Sequence, residues 1–167
     1  MTRFESRNLS EADVPASRAA IWSVLSDPDL LARFTPLIKA IRANGDLWCW
    51  QLSGISALGA KVAPSFSERM TFVDLERIDF EHDPPSGATE KAGANGVYTL
   101  EDLGDGLTRL FIDITIWVDL PLPSLSRRAV EKVMAESMER TGHRFAKNLY
   151  QHLEIDPSTV TERTPSP

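Results

Sequence analysis

The fold of this chain is decided between residues 14 and 38, which read VPASRAAIWSVLSDPDLLARFTPLI. A short helix is predicted over residues 18–26, because Ser17 is a typical helix cap and the apolar positions that follow it recur at helical spacing. Those apolar positions are Ile21, Val24 and Leu25.

A second helix start follows immediately. Asp27 precedes Pro28; aspartate caps a helix, and proline suits the first helical position. The helix over residues 29–34 is short, since Pro36 disfavours helical backbone at the residue before it. Two brief helices are therefore predicted side by side near the N-terminus.

Strands surround this helical segment. Residues 3–14 are polar with weak alternation, which indicates an edge strand. Asn44-Gly45 and Asp105-Gly106 are the dipeptides that tight two-residue hairpins require, so each predicts a hairpin. With the first strand, about six or seven antiparallel strands are expected; the later ones cover residues 38–43, 46–53, 65–73, 76–82, 96–102 and 107–118.

A long helix is predicted over residues 125–153, after the prolines that end the sheet. Residues 1–154 then form a single domain, and the polar, proline-containing residues 155–167 are expected to be a disordered tail. The helix has an apolar stripe that recurs at close to 3.6 residues: Val130, Val133, Met134, Met138, Thr141, Phe145, Leu149 and Leu153.

These elements predict an α+β fold, in which a curved antiparallel sheet of six to seven strands is crossed by one long C-terminal helix. Sheet and helix must bury their apolar faces on each other. A twisted sheet of that size curls, and one helix does not fill the concavity along its whole length. The remaining space is either packed by large side chains or left as a cavity, so a ligand site is expected there.

This order of elements, together with three local sequences, resembles the START-like (SRPBCC) superfamily with the Bet v 1 helix-grip fold. Within it, the chain is most similar to the bacterial members of polyketide cyclase/dehydrase type. The residues that carry the resemblance are VPA at 14–16, IWSVLSDP at 21–28 and FTPLI at 34–38.

The resemblance covers residues 4–153 and implies a hydrophobic small-molecule ligand such as a lipid, an isoprenoid or a polyketide. Only some members of this superfamily are enzymes, and they share no catalytic constellation. The resemblance therefore transfers no catalytic residue to this chain.

Composition narrows the classes of function. The chain has 167 residues and a net charge of −6, from 18 Lys and Arg against 24 Asp and Glu. This acidity argues against nucleic-acid binding. A single cysteine, Cys49, and three scattered histidines argue against disulfides and metal sites. No apolar run predicts a membrane span and no signal peptide is apparent, so we expect a cytoplasmic monomer or homodimer without a cofactor.

Alternation along the strands predicts which side chains face the interior. The expected ligand-contacting residues combine these positions with three from the final helix. A filled core has the same composition as a pocket wall, so plain packing is the alternative interpretation. The residues are Trp48, Trp50, Phe66, Met70, Phe72, Phe80, Tyr98, Ile112, Ile114, Met134, Met138 and Phe145.

Three polar residues are candidates for acid–base chemistry. Glu68 lies between Phe66 and Met70 on an apolar strand face, where desolvation would raise the pKa of its carboxyl group. His82 is expected at a strand end near the mouth of the pocket, and Tyr98 offers a hydroxyl to a ligand oxygen. The alternatives are a bulge or an ion pair for Glu68, a solvated strand end for His82 and a satisfied core tyrosine for Tyr98.

The predicted function is binding of a hydrophobic small molecule between the sheet and the C-terminal helix. One alternative is an aromatic polyketide cyclase or dehydratase that uses one of the three polar candidates to move a proton. The other is a protein-interaction module with a filled core. No acid–base pair at a defined spacing supports catalysis, so binding is ranked first.

Overall fold

The computed structural model describes residues 1–166, apart from the side chains of Ile55 and Ala57. The strands are β1 (Thr2–Val14), β2 (Ile38–Asn44), β3 (Leu47–Leu52), β4 (Ile55–Ala57), β5 (Ala60–Val62), β6 (Ser65–Val73), β7 (Arg77–His82), β8 (Ala92–Gly104), β9 (Leu107–Leu120) and β10 (Thr161–Arg163). The helices are α1 (Arg18–Leu25), α2 (Pro28–Phe34) and α3 (Arg127–His152).

Eight strands form the main sheet, in the antiparallel order β10-β1-β9-β8-β7-β6-β3-β2. β4 and β5 form a separate hairpin between β3 and β6. The predicted α+β class and the long C-terminal helix are confirmed. The predicted count of six to seven strands is too low, because β10 comes back from the C-terminal segment and pairs with β1.

The two short helices begin at their predicted caps. The Ser17 side chain accepts a hydrogen bond from the Ala20 amide (3.2 Å) at the start of α1. Asp27 Oδ1 accepts from the amides of Asp29 (2.9 Å) and Leu30 (3.0 Å) at the start of α2. Such caps satisfy amides that the first helical turn leaves unpaired, so both starts are determined locally.

One hairpin turn is as predicted and the other is shifted by one residue. Asp105 and Gly106 both have positive φ (53° and 73°), as a two-residue turn of this kind requires. In the first hairpin Asn44 pairs with Leu47, so the loop is Gly45-Asp46 and not Asn44-Gly45. Gly45 takes the positive φ there (61°), because glycine adopts it without a steric cost.

The sheet has a charged outer face and an apolar inner face. Three arginine–aspartate pairs connect β1 and β9 on the outer face: Arg3–Asp119, Arg7–Asp113 and Arg109–Asp13. The inner face carries the aliphatic side chains of β9. This confirms the expectation that the charged residues of β9 point away from the core, where an unpaired charge would be costly.

The long helix α3 packs on the inner face and extends from β1 to α2. Near its start, Glu131 accepts a hydrogen bond from the Glu5 amide (3.4 Å). Near its end, Asn148 donates to the Phe34 carbonyl (3.0 Å). Four residues of the predicted stripe join the sheet in one hydrophobic core: Val130, Met134, Phe145 and Leu149.

The expectation of a disordered tail from residue 155 is wrong for most of that segment. Residues Pro157–Thr159 form a 3-10 turn, and β10 follows it. β10 pairs with the end of β1, and Arg163 Nε donates to Asp13 Oδ2 (2.7 Å). Composition could not reveal this strand, because its partners lie in β1 at the other end of the chain. Pro167, the last residue of the predicted tail, lies outside the described residues.

Candidate ligand-binding site

The inner face of β9 is covered at its ends and open in its middle. Leu110 and Val118 are buried, whereas Ile112, Ile114 and Ile116 between them are only partly buried. All five side chains lie on one face of a stretch of strand that is paired without a register shift, so the difference comes from what covers them. The middle of the inner face is therefore accessible from solvent.

Short side chains on the neighbouring strands account for this opening. The residues that flank the three isoleucines in register are Ser6, Asn8 and Ser10 on β1, and Ala94, Gly96 and Tyr98 on β8. The Phe80 ring occupies the space over Gly96, and Tyr98 is large, so the short side chains that leave space above β9 are those of β1 and Ala94. We call this region, the three isoleucines with Ser6, Asn8, Ser10 and Ala94, the inner groove.

Aromatic and sulfur-containing side chains form the rest of the interior wall. Neighbouring rings are in contact: Trp50 stacks on Phe66 (6.3 Å between centroids, 6° between planes), and Phe80 lies 5.0 Å from Tyr98. The predicted ligand-contacting residues that are buried are Trp48, Trp50, Phe66, Met70, Phe80, Tyr98, Met134 and Phe145. Those that are partly buried are Ile112, Ile114 and Met138.

Phe72 is the predicted wall residue that the interior does not enclose. It is 39% exposed and sits at the rim, near the end of β6. Its ring contacts Trp48 on β3 (5.9 Å) and Trp22 on α1 (6.2 Å). Phe72 therefore belongs to the edge of the wall, where the sheet meets the first helix.

Glu68 is buried inside this apolar wall, as the alternation of β6 predicted. It is 2% exposed and lies directly opposite Trp48 on β3. Its Oε2 atom has no hydrogen-bond partner among the residues that the structure describes. Burial raises the pKa of the Glu68 carboxyl well above its ordinary value of 4.5, since the charged form is poorly solvated there. The two alternatives for Glu68, a bulge and an ion pair, are not observed among the described residues.

Trp50 carries a second unpartnered polar atom on the same face. Its Nε1 atom is buried and donates to no group. The neighbouring Trp48 differs, because its Nε1 donates to the Gly45 carbonyl (3.3 Å). Strand alternation predicted the inward position of the Trp50 ring but not its unpaired indole N–H. The only available signal was that a buried tryptophan normally finds an acceptor for this group.

Tyr98 lies in the interior within the electrostatic range of Glu68. Burial, and then the charge of Glu68, raise the pKa of the Tyr98 hydroxyl above its usual 10.0. The hydroxyl therefore keeps its proton at neutral pH. Tyr98 can donate or accept a hydrogen bond, but it does not act as a base in this setting.

The prediction that His82 faces the interior is wrong. Its Nε2 lies 2.8 Å from Glu90 Oε2, and its ring is edge-on to Trp117 at 5.0 Å. Glu90 also accepts hydrogen bonds from the amide and the hydroxyl of Ser67. The side chain of Ser67 lies on the outer face of the sheet. Alternation fails at this position because β7 ends there, and the His82 amide donates to the Asn95 side chain. His82 is thus an outer-face residue.

Two surface pockets lie elsewhere. An open groove of about 520 Å³ runs between α2 and β2, past Arg33 and Lys39. A smaller one of about 220 Å³ lies beside Pro64 and Lys91. Neither is the space predicted between the sheet and the final helix.

Within residues 1–166, no three His, Cys, Asp or Glu side chains are grouped to hold a metal ion. None of the helices in that range is both long enough and apolar enough to cross a bilayer.

Solved structures share this architecture at low sequence identity. A conserved protein from Geobacillus kaustophilus has a TM-score of 0.65 at 16% identity, over 94% of this chain and 100% of its own. The Zhui aromatase/cyclase from Streptomyces sp. R1128 has a TM-score of 0.62 at 13% identity, over 92% and 94%. A START superfamily protein from Mycobacterium smegmatis has a TM-score of 0.61 at 19% identity, over 89% and 97%. No protein-family model and no curated protein sequence matches the chain.

Each of these likenesses spans nearly the whole chain, so it includes the sheet, the short helices and the long helix together. At such identities the agreement concerns the backbone and not the site residues. The chain has the helix-grip fold of START-like and Bet v 1-like proteins, in agreement with the resemblance seen between residues 14 and 38.

Proposed function

We propose that the protein binds a hydrophobic small molecule in the inner groove, between the sheet and α3. The observation that carries this proposal is the partial exposure of Ile112, Ile114 and Ile116 on the face that forms the core elsewhere. Covering apolar surface yields about 25 cal/mol per Å² removed from water. A ligand seated on these three side chains gains that free energy, and the short flanking side chains supply the room.

A cyclase or dehydratase acting on a polyketide-like substrate is the second candidate function. Glu68 favours it, because burial in the apolar wall raises the pKa of its carboxyl, and an acid of raised pKa is suited to donate a proton as a substrate carbonyl enolises. The shared fold with an aromatase/cyclase adds support. Binding remains the first candidate, since His82 lies on the outer face and the raised pKa of Tyr98 keeps its hydroxyl protonated.

A fluorescence titration with N-phenyl-1-naphthylamine, a neutral apolar probe, tests the binding proposal. Wild-type protein should bind the probe saturably with one probe per chain. Ser10→Phe should weaken binding, because Ser10 lies opposite Ile112 on the inner face and a phenyl ring there fills the groove. Glu5→Phe is the matched control, since it adds the same ring to the outer face of the same strand.

The outcomes separate ligand binding from an interaction module with a filled core. Loss of probe binding in Ser10→Phe, with Glu5→Phe unchanged, supports the inner groove as the site. Absence of binding to the folded wild-type protein would contradict the proposal and favour the interaction module with a filled core. Mass spectrometry under native conditions, on protein purified from its own cells, would then identify any small molecule that stays bound.

A further inference from the structure

Two buried polar atoms without partners lie on neighbouring strands of the interior wall. Glu68 Oε2 on β6 and Trp50 Nε1 on β3 are both inaccessible to solvent and unpaired. Glu68 is opposite Trp48, and Trp50 is two residues further along the same strand and face. The backbone positions of diagonal neighbours of this kind are about 7–8 Å apart, which is close enough for long side chains to approach one another.

These atoms are chemically complementary to one ligand oxygen. The indole N–H only donates, whereas a neutral carboxyl group both donates and accepts. A ligand hydroxyl can accept from Trp50 and donate to Glu68. A ligand carbonyl can accept from both residues when Glu68 is protonated. Leaving the two atoms unpaired is costly in an apolar surrounding, so a group that joins them adds affinity as well as orientation.

The interior offers nothing that would neutralise a charged ligand. Among the described residues, the buried ionisable acids are Asp13 and Glu68, and no Lys or Arg is buried. Asp13 is engaged by Arg109 and Arg163 on the outer face. A carboxylate ligand would meet an acid and no cation. An ammonium ligand could pair with Glu68 but offers no acceptor to the Trp50 indole.

We propose that Glu68 and Trp50 together recognise a single uncharged oxygen atom of an apolar ligand, which makes the ligand class alcohols, phenols or ketones rather than fatty acids or amines. This inference rests on the proposed binding function and narrows it. The raised pKa of the buried Glu68 carboxyl is consistent with it, because burial favours the neutral form and a neutral acid leaves an uncharged site.

The test is displacement of the bound probe by three ligands of equal chain length: 1-decanol, decanoic acid and decylamine, near neutral pH. Decanol should displace the probe best. Decanoic acid should bind about a hundredfold more weakly, because it must take up a proton to enter the site uncharged. Near neutral pH, roughly two units above its pKa, only about one molecule in a hundred is protonated. Decylamine should also be weaker, because it leaves the indole unpaired.

Three variants assign the effect to the two residues. Trp50→Phe and Glu68→Met should each weaken the binding of decanol by about tenfold, which is the loss expected when one buried hydrogen bond is removed. Glu68→Gln should keep most of the affinity, since an amide also donates and accepts with nearly the same shape. Probe binding itself should persist in all three variants and serves as the control for an intact groove.

The contrary outcomes are distinct. If the probe binds but the three ligands compete equally, or if Trp50→Phe and Glu68→Met leave decanol unaffected, the inference fails while the binding proposal stands. If a crystal structure with decanol shows an ordered water bridging Trp50 and Glu68, the inference also fails. If the folded wild-type protein binds neither probe nor ligand, both proposals fall together.

Discussion

Replacing Glu68 by methionine should stabilise the protein near neutral pH. The side chain is 2% exposed and one of its oxygens has no partner, so its burial opposes folding. Removing a buried, unpaired polar group recovers about 1–3 kcal/mol. Methionine is unbranched and adapts to an irregular site, which limits any packing penalty. For a chain of this length each kcal/mol raises the melting temperature by about 2–4 °C.

The stabilisation should depend on pH with a defined sign. The pKa of Glu68 is raised in the folded protein above its ordinary 4.5. Below that ordinary value the carboxyl is protonated in both the folded and the unfolded states, and no pH-dependent cost arises. As pH rises, the unfolded state ionises first, so the wild-type protein loses stability until pH passes the raised pKa. The advantage of Glu68→Met is therefore larger at about pH 7.5 than at about pH 4.

Urea unfolding followed by tryptophan fluorescence at these two pH values measures the effect. Glu81→Met is the matched control, because Glu81 is exposed on the adjacent strand β7. Its free energy of unfolding should change by less than about 0.5 kcal/mol at both pH values. Destabilisation of Glu68→Met by more than about 1 kcal/mol at the higher pH would refute the reasoning, since it would mean that the carboxyl is satisfied in the folded protein.

Three further predictions concern the scaffold. Gly96→Ala should destabilise the protein by more than about 2 kcal/mol in urea unfolding, because an added Cβ would lie 2.5 Å from the Phe80 ring. Gly142→Ala should instead stabilise the protein by about 1 kcal/mol, because an added Cβ there meets open space on α3. Equal effects of the two substitutions would contradict the packing described. Truncation after Glu154 should lower the melting temperature, because it removes β10 and an arginine partner of Asp13, and an unchanged value would show that β10 contributes nothing. The arginine partners hold the pKa of Asp13 at about 2 against an ordinary 3.8, so the stability of the protein should fall as pH drops from about 4 to 2. Thermal unfolding followed by circular dichroism should show a smaller loss of stability over this range in Asp13→Asn. An equal loss in the variant would contradict the ion pair.

Local signals predicted much of the fold. The caps Ser17 and Asp27 and the turn Asp105-Gly106 act through atoms a few residues away, so their effects are readable without knowledge of the fold. The loop of the first hairpin lies one residue later than the prediction from Asn44-Gly45, because the pairing of β2 with β3 decides which two residues form the turn. Local chemistry thus names the turn but does not determine its register.

The candidate site was predictable in part. Alternation correctly placed Glu68 in the apolar wall, since β6 is a regular strand with partners on both sides. It failed for His82, where the strand ends and a side chain replaces the ladder partner. The expected ligand contacts already included Ile112 and Ile114, but not the β1 residues that open the inner groove beside them, because β1 looks like an ordinary polar edge strand in the sequence.

The amino-acid sequence alone determined the order of the three helices and of seven of the ten strands, the starts of the two short helices and the inward position of most apolar side chains, because these depend on short-range sterics and on periodicity. Tertiary structure alone decided that β10 joins the sheet, that His82 turns outward, and that Glu68 and Trp50 keep buried atoms unpaired. Each of these features depends on partners that are far apart in the chain. The free energy of burying a polar group is set by those partners, and a sequence pattern does not show which of them meet.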